Sequence, residues 1–64
     1  MGSLTKREIQ IVEYIAQGLS NEEIAQKMFV SKHTIKAHLA SALKKLSANN
    51  RTNAVYKAVK NSLI

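Results

Sequence analysis

Sixty-four residues with no cysteine, no proline, two glycines and a formal charge of +6 make one small domain. Disulfides and thiolate metal sites are excluded. No apolar run approaches the roughly 20 residues that span a bilayer, and the N-terminus lacks the apolar core of a signal peptide. A chain this short builds only a marginal core, so it relies on well-matched helix packing or on a partner.

The charge is unevenly placed. Two cations and four glutamates share the first 23 residues, whereas residues 24–64 carry eight cations and no acid. Such a balance favours a polyanionic partner, nucleic acid ahead of an anionic membrane surface. Met1-Gly2-Ser3 reads as a cloning remnant ahead of a domain over 4–64. The absence of cysteine fits a reducing compartment, and a cytoplasmic location is expected.

The near-absence of helix breakers predicts an all-α fold. Thr5 and Glu8 form a capping box with Leu4 ahead of it, opening a first helix over about 6–17. Its apolar stripe is Ile11, Val12, Ile15, Ala16 and Leu19, and Gly18 supplies the left-handed cap. Ser20 and Glu23 repeat the capping box and open a short helix over about 21–28, with Ile24, Ala25 and Met28 inward. Ser31 signals a third start after a break at Phe29-Val30. The third helix, about 32–46, buries Ile35, Leu39, Ala42, Leu43 and Leu46. A polar loop follows. Asn50 or Thr52 is placed to cap a fourth helix over about 51–61 that buries Ala54, Val55 and Ala58.

A short helix, a tight turn and a longer helix form the helix-turn-helix pattern at the centre of a four-helix bundle. Ala25 sits where the two helices cross, and its small side chain allows close approach. Opposite the buried stripe of the third helix lie Lys32, His33, Lys36, Ala37, Ala40, Ser41 and Lys44. That face has no acid. Residues near a recognition helix's N-terminus reach base edges. A lysine there donates to guanine O6 and N7, and alanines let the helix approach thymine methyls.

Four stretches, Leu4-Thr5-Lys6-Arg7-Glu8, Gly18 to Ala25, Val30 to His38 and Arg51-Thr52-Asn53-Ala54-Val55, resemble the LuxR/FixJ/NarL-type (GerE-like) DNA-binding domain. The resemblance covers essentially all of residues 4–64, and the bulky Phe29 suits the turn of that family. It implies a four-helix effector domain of a bacterial transcription regulator, specifically a two-component response regulator. The upstream part would be a receiver or sensor domain, and the third helix would lie in the major groove of double-stranded DNA. Carried over position by position, the base readers match His33, Lys36, Ala37 and Ala40. Some relatives place polar readers where Ala37 and Ala40 stand, so sequence preference rests mainly on Lys36 and His33.

Phosphate contacts are expected from Ser20 and Asn21, at the positive end of the second helix, and from Lys32, Thr34, Lys44 and Lys45. Lys27, Lys57 and Lys60 read as solvated charges. His38, on the inner edge of the third helix, is expected to donate to a backbone carbonyl. Arg51 is expected to pair with Glu8 or to touch a phosphate, the pairing being favoured. By resemblance, the fourth helix would form a homodimer through Asn53, Tyr56, Lys57, Val59 and Lys60.

No metal and no cofactor is expected. His33 and His38 stand five residues apart, about 140° around a helix, with no acid nearby. No Gly-rich phosphate loop, aspartate or His–acid pair supports catalysis, so an enzyme is not expected. The competing class is a basic amphipathic module for a protein or a membrane surface. The Ala- and Ser-rich outer face of the third helix argues against it, because such modules present Trp, Phe or Leu.

Overall fold

The computed structural model describes residues 3–64; Met1 and Gly2, the first two residues of the suggested cloning remnant, lie outside the described residues. Four helices follow one another: α1 (Lys6–Ala16), α2 (Asn21–Met28), α3 (Lys32–Leu46) and α4 (Arg51–Lys60). Their bounds match the sequence expectation to within one residue.

Side-chain caps start every helix. Thr5 and Ser20 both complete capping boxes, Ser31 Oγ accepts from the Thr34 N–H at 3.1 Å, and Asn50 Oδ1 accepts from the Asn53 N–H at 2.8 Å. Asn50, not Thr52, is therefore the cap of α4.

Every helix also ends in the same way, with a left-handed residue and two tightened backbone bonds. At the end of α1, Gly18 has φ +92°, and the Leu19 N–H reaches back to the Tyr14 carbonyl at 3.1 Å. Phe29, Ser47 and Ser62 take the same role at φ 57°, 55° and 58°. The N–H of the residue after each returns to Ala25, Leu43 and Ala58 respectively. This is the Schellman closure, and at three of the four ends it is made without glycine.

The core has two lobes. Ile11, Ile24, Ala25 and Ile35 pack together where α1, α2 and α3 meet, with Tyr14, Ile15, Leu19, Met28 and Val30 around them. Val12, Ala42 and Ala58 form the second lobe, with Leu4, Val55, Leu63 and Ile64 against it. Neighbouring residues of α1, Ile11 and Val12, thus face different lobes. α3 contacts all three other helices and runs through both lobes. Ala25, Ala42, Ala54 and Ala58 are buried, and their small side chains bring the helix backbones close. Ala16, expected in the apolar stripe of α1, is exposed instead. It lies at the helix end, beyond the reach of either lobe.

Candidate nucleic-acid interface

α3 is held from behind, and its front is free. Ile35, Leu39, Ala42 and Leu46 anchor its inner side. Lys32, His33, Lys36, Ala37, Ala40 and Lys44 are all exposed, so the structure keeps the expected base-reading residues on one surface. Ser41 is half-buried at its margin. Among the described residues, no glutamate carboxylate bonds to these lysines, so the positive potential of the face is not neutralised locally.

The turn before α3 is set by two hydroxyls. Thr34 Oγ1 lies 3.0 Å from Ser31 Oγ, which also accepts from the Thr34 N–H. Thr34 is half-buried, and its hydroxyl orders the cap as well as standing at the expected phosphate position.

Ser20 and Asn21 open α2. Ser20 is exposed and caps through Oγ to the Glu23 N–H at 3.2 Å, while Glu23 Oε1 accepts from the Ser20 N–H at 2.8 Å. These bonds from Ser20 hold the Glu23 carboxyl below its usual range. Asn21 is half-buried, and its Oδ1 accepts from Arg51 Nη1 at 3.0 Å.

Two expected pairings are corrected. Arg51 does not reach Glu8; its guanidinium bridges Asn21 Oδ1 and the Leu19 carbonyl, each at 3.0 Å. Glu8 is taken by Lys45, at 2.9 Å. Lys45, expected to face a phosphate, therefore has its ammonium committed to a buried carboxylate. Glu8 is only 3% exposed and lies in line with the apolar stripe of α1. Burial by itself would raise its pKa. Hydrogen bonds from Lys45, the Thr5 N–H and the Ser41 hydroxyl outweigh that and hold it at about 2.

His38 is half-buried and, among the described residues, makes no hydrogen bond to a backbone carbonyl. No three His, Asp or Glu side chains gather into a metal-ligand set among the described residues.

On α4, Tyr56 is 61% exposed and Val59 57% exposed, with Lys60 beside them. The other two residues expected at a dimer contact are used locally. Asn53 Oδ1 accepts from the Asn49 N–H at 3.2 Å, and Lys57 Nζ donates to the Ser47 carbonyl at 2.6 Å. Both tie down the loop between α3 and α4.

Sequence reasoning missed three features: the Glu8–Lys45 pair, the Arg51 bridge and the exposure of Phe29, which is 94%. The first had a signal. Lys45 is three residues beyond buried Ala42, on the edge of the inward face. The other two depend on how α4 and the turn are placed in space.

Residues 2–58 match the family described as bacterial regulatory proteins, luxR family. The chain is 45% identical over 60 residues to the Bacillus subtilis (strain 168) protein named Uncharacterized transcriptional regulatory protein YxjL, covering 94% of this chain and 28% of that protein. It is 42% identical over 62 residues to the transcriptional regulatory protein LiaR of the same organism, covering 97% of this chain and 29% of LiaR. In three dimensions it matches the response regulator ChrA of a heme-sensing two-component system with a TM-score of 0.95 and 42% identity, over all of this chain and 32% of ChrA. The chain thus spans less than a third of the length of these relatives. Its capped helices, its close-packed joint between α2 and α3 and the match over residues 2–58 lead to one assignment: the chain belongs to the luxR family of bacterial regulatory proteins, as their helix-turn-helix domain.

Proposed function

We propose that this domain binds double-stranded DNA sequence-specifically, as the effector domain of a cytoplasmic two-component response regulator, with α3 in the major groove. One observation carries the reading: the exposed face of α3 bears Lys32, His33, Lys36 and Lys44 around two small alanines, with no acid on it. A major groove about 12 Å wide admits one helix, and alanines at its centre let the backbone come near the bases. In this arrangement Lys36 and His33 donate to base edges, and Ala37 and Ala40 lie against them. Lys32 and Lys44 flank the helix and meet phosphates, together with Ser20, Asn21 and Thr34 at the helix starts. Lys45 contributes through the fold, by neutralising Glu8.

A single domain of this size covers few base pairs, so useful affinity comes from two copies on two half-sites. Tyr56, Val59 and Lys60 on α4 form the contact between copies. The relatives are about three times as long as this chain, which supports an upstream receiver domain in the full protein.

Fluorescence anisotropy with a pool of random duplexes across a salt series, with sequencing of the bound fraction, tests this. Salt-dependent binding with enrichment of a roughly palindromic site is expected. Binding without enrichment would reduce the domain to a non-specific basic module. No binding at low salt would redirect the basic face to a protein or a membrane surface.

A further inference from the structure

Arg51 begins α4, yet its guanidinium lies against the start of α2. Nη1 donates to Asn21 Oδ1 and Nη2 donates to the Leu19 carbonyl, both at 3.0 Å. The two acceptors flank Ser20, the N-cap of α2, so one rigid planar fork fixes the entry to that helix from both sides. Arg51 and Asn21 are both half-buried, which favours a fixed geometry over a mobile one.

Arginine carries only donors, so the atom of Asn21 that faces it has to be the amide oxygen. The amide NH2 of Asn21 is then turned away from the guanidinium, and it makes no hydrogen bond among the described residues. The neighbouring donors are differently placed. The Ser20 and Glu23 N–H groups are taken by the reciprocal capping box, and the Ile24 N–H by the Ser20 carbonyl. Asn21 is therefore the one polar side chain at this helix start with both of its donors free and its orientation imposed from another helix.

We infer that Arg51 is a positioning residue for DNA binding: it acts through Asn21, aiming the amide NH2 at a phosphate of the backbone. This rests on the proposed duplex-DNA reading and adds to it a residue of α4 that touches no DNA itself. An aimed amide meets the phosphate without first losing its rotational freedom. The same bond places the α4 helix, and so the contact between copies, in fixed relation to the phosphate contact of α2.

A double-mutant cycle on one duplex carrying a selected site tests the inference, with wild type, Asn21→Ala, Arg51→Ala and the double variant measured by anisotropy. Asn21→Ala and Arg51→Ala are each expected to weaken binding by about three- to tenfold, the scale of one hydrogen bond. The double variant is expected to bind no more weakly than Asn21→Ala alone. Arg51→Lys keeps the charge but not the two parallel bonds, and replaces Arg51→Ala in the cycle if that variant melts below the assay temperature. Asn21→Asp preserves an acceptor for Arg51 while removing the donor; it is expected to keep the melting temperature and lose affinity. Losses that multiply in the double variant, or an Asn21→Asp domain that binds like wild type, would overturn the inference and leave DNA binding intact. Failure of the wild-type domain to bind any duplex would overturn both.

Discussion

Lys45 and Glu8 join α3 to the start of α1: Nζ donates to Oε1 at 2.9 Å, with the glutamate side chain 4% exposed and that of the lysine 28%. The same Oε1 accepts from the Thr5 N–H at 2.8 Å, so one carboxylate oxygen both caps a helix and pairs with a distant one. A buried carboxylate held in this way makes folding depend on acid. Its pKa is lowered from 4.5 to about 2, because the hydrogen bonds outweigh its burial. The unfolded chain therefore takes up this proton at a higher pH than the folded one. The contribution to stability is fully present above about pH 4.5 and is lost as pH falls towards 2. Its size is about 3 kcal/mol. Urea denaturation at a series of pH values is expected to show that decline in the wild type and a flatter profile in Glu8→Gln.

Removing the other partner also destabilises the fold. Lys45→Ala leaves a carboxylate that is buried and unpaired. Breaking a fully buried pair costs about 3–5 kcal/mol, and the partial exposure of Lys45 places this one at about 2–3 kcal/mol. For a domain of this size that is a large share of the total stability. Denaturation at neutral pH checks it. Wild-type stability combined with a shallower salt dependence of DNA binding would instead return Lys45 to the phosphate backbone.

Phe29 combines two unfavourable features: it is left-handed at φ 57° and 94% exposed. A residue with a Cβ pays about 1–2 kcal/mol in that conformation, whereas glycine does not. Phe29→Gly also loosens the unfolded chain, which returns part of the gain. A net stabilisation of about 0.5–1 kcal/mol is expected, raising the melting temperature by about 3–6 °C. A lower melting temperature would mean that the ring contributes packing which its exposure conceals.

These cases also show what was legible in the sequence. Helix bounds were, because each start carries its own oxygen-bearing cap: Thr5, Ser20, Ser31 and Asn50. The outer face of α3 was legible too, since helical spacing alone puts His33, Ala37 and Lys44 opposite Ile35 and Leu39, with Lys36 and Ala40 on its flank. Long-range polar partners were not. Arg51 and Lys45 both compete for the acidic start of α1 in any one-dimensional reading. Only the placement of α4 beside the loop between α1 and α2 sends Arg51 to Leu19 and Asn21. The helix ends were half legible. Gly18 announces the first, but Phe29, Ser47 and Ser62 make the same turn with residues that carry no such signal.

The proposed contact between copies would rest on Tyr56 and Val59, the two large exposed apolar residues of α4. Val59→Asp places like charges across a symmetric contact and is expected to abolish cooperative binding to a palindromic site. Binding to a single half-site is expected to stay unchanged. Sedimentation velocity on both duplexes measures this. A strict monomer of the unmodified chain, even on palindromic DNA, would remove α4 from the account.

Lys44 lies further along α3, away from the end expected to approach the bases. Lys44→Ala is expected to weaken all sequences alike and to reduce the salt slope by about 1, as the loss of one phosphate contact does. Anisotropy on matched and scrambled duplexes over a salt series checks it. A loss confined to the matched duplex would make Lys44 a base reader.

The central claim, that α3 reads bases through its N-terminal half, is tested most directly by repeating the random-duplex selection with Lys36→Ala. Relaxed preference at one position of each half-site is expected, with a cost of about 1–3 kcal/mol on the wild-type site. An unchanged enriched sequence bound with unchanged affinity would contradict it, and the reading surface would have to be sought elsewhere on the domain.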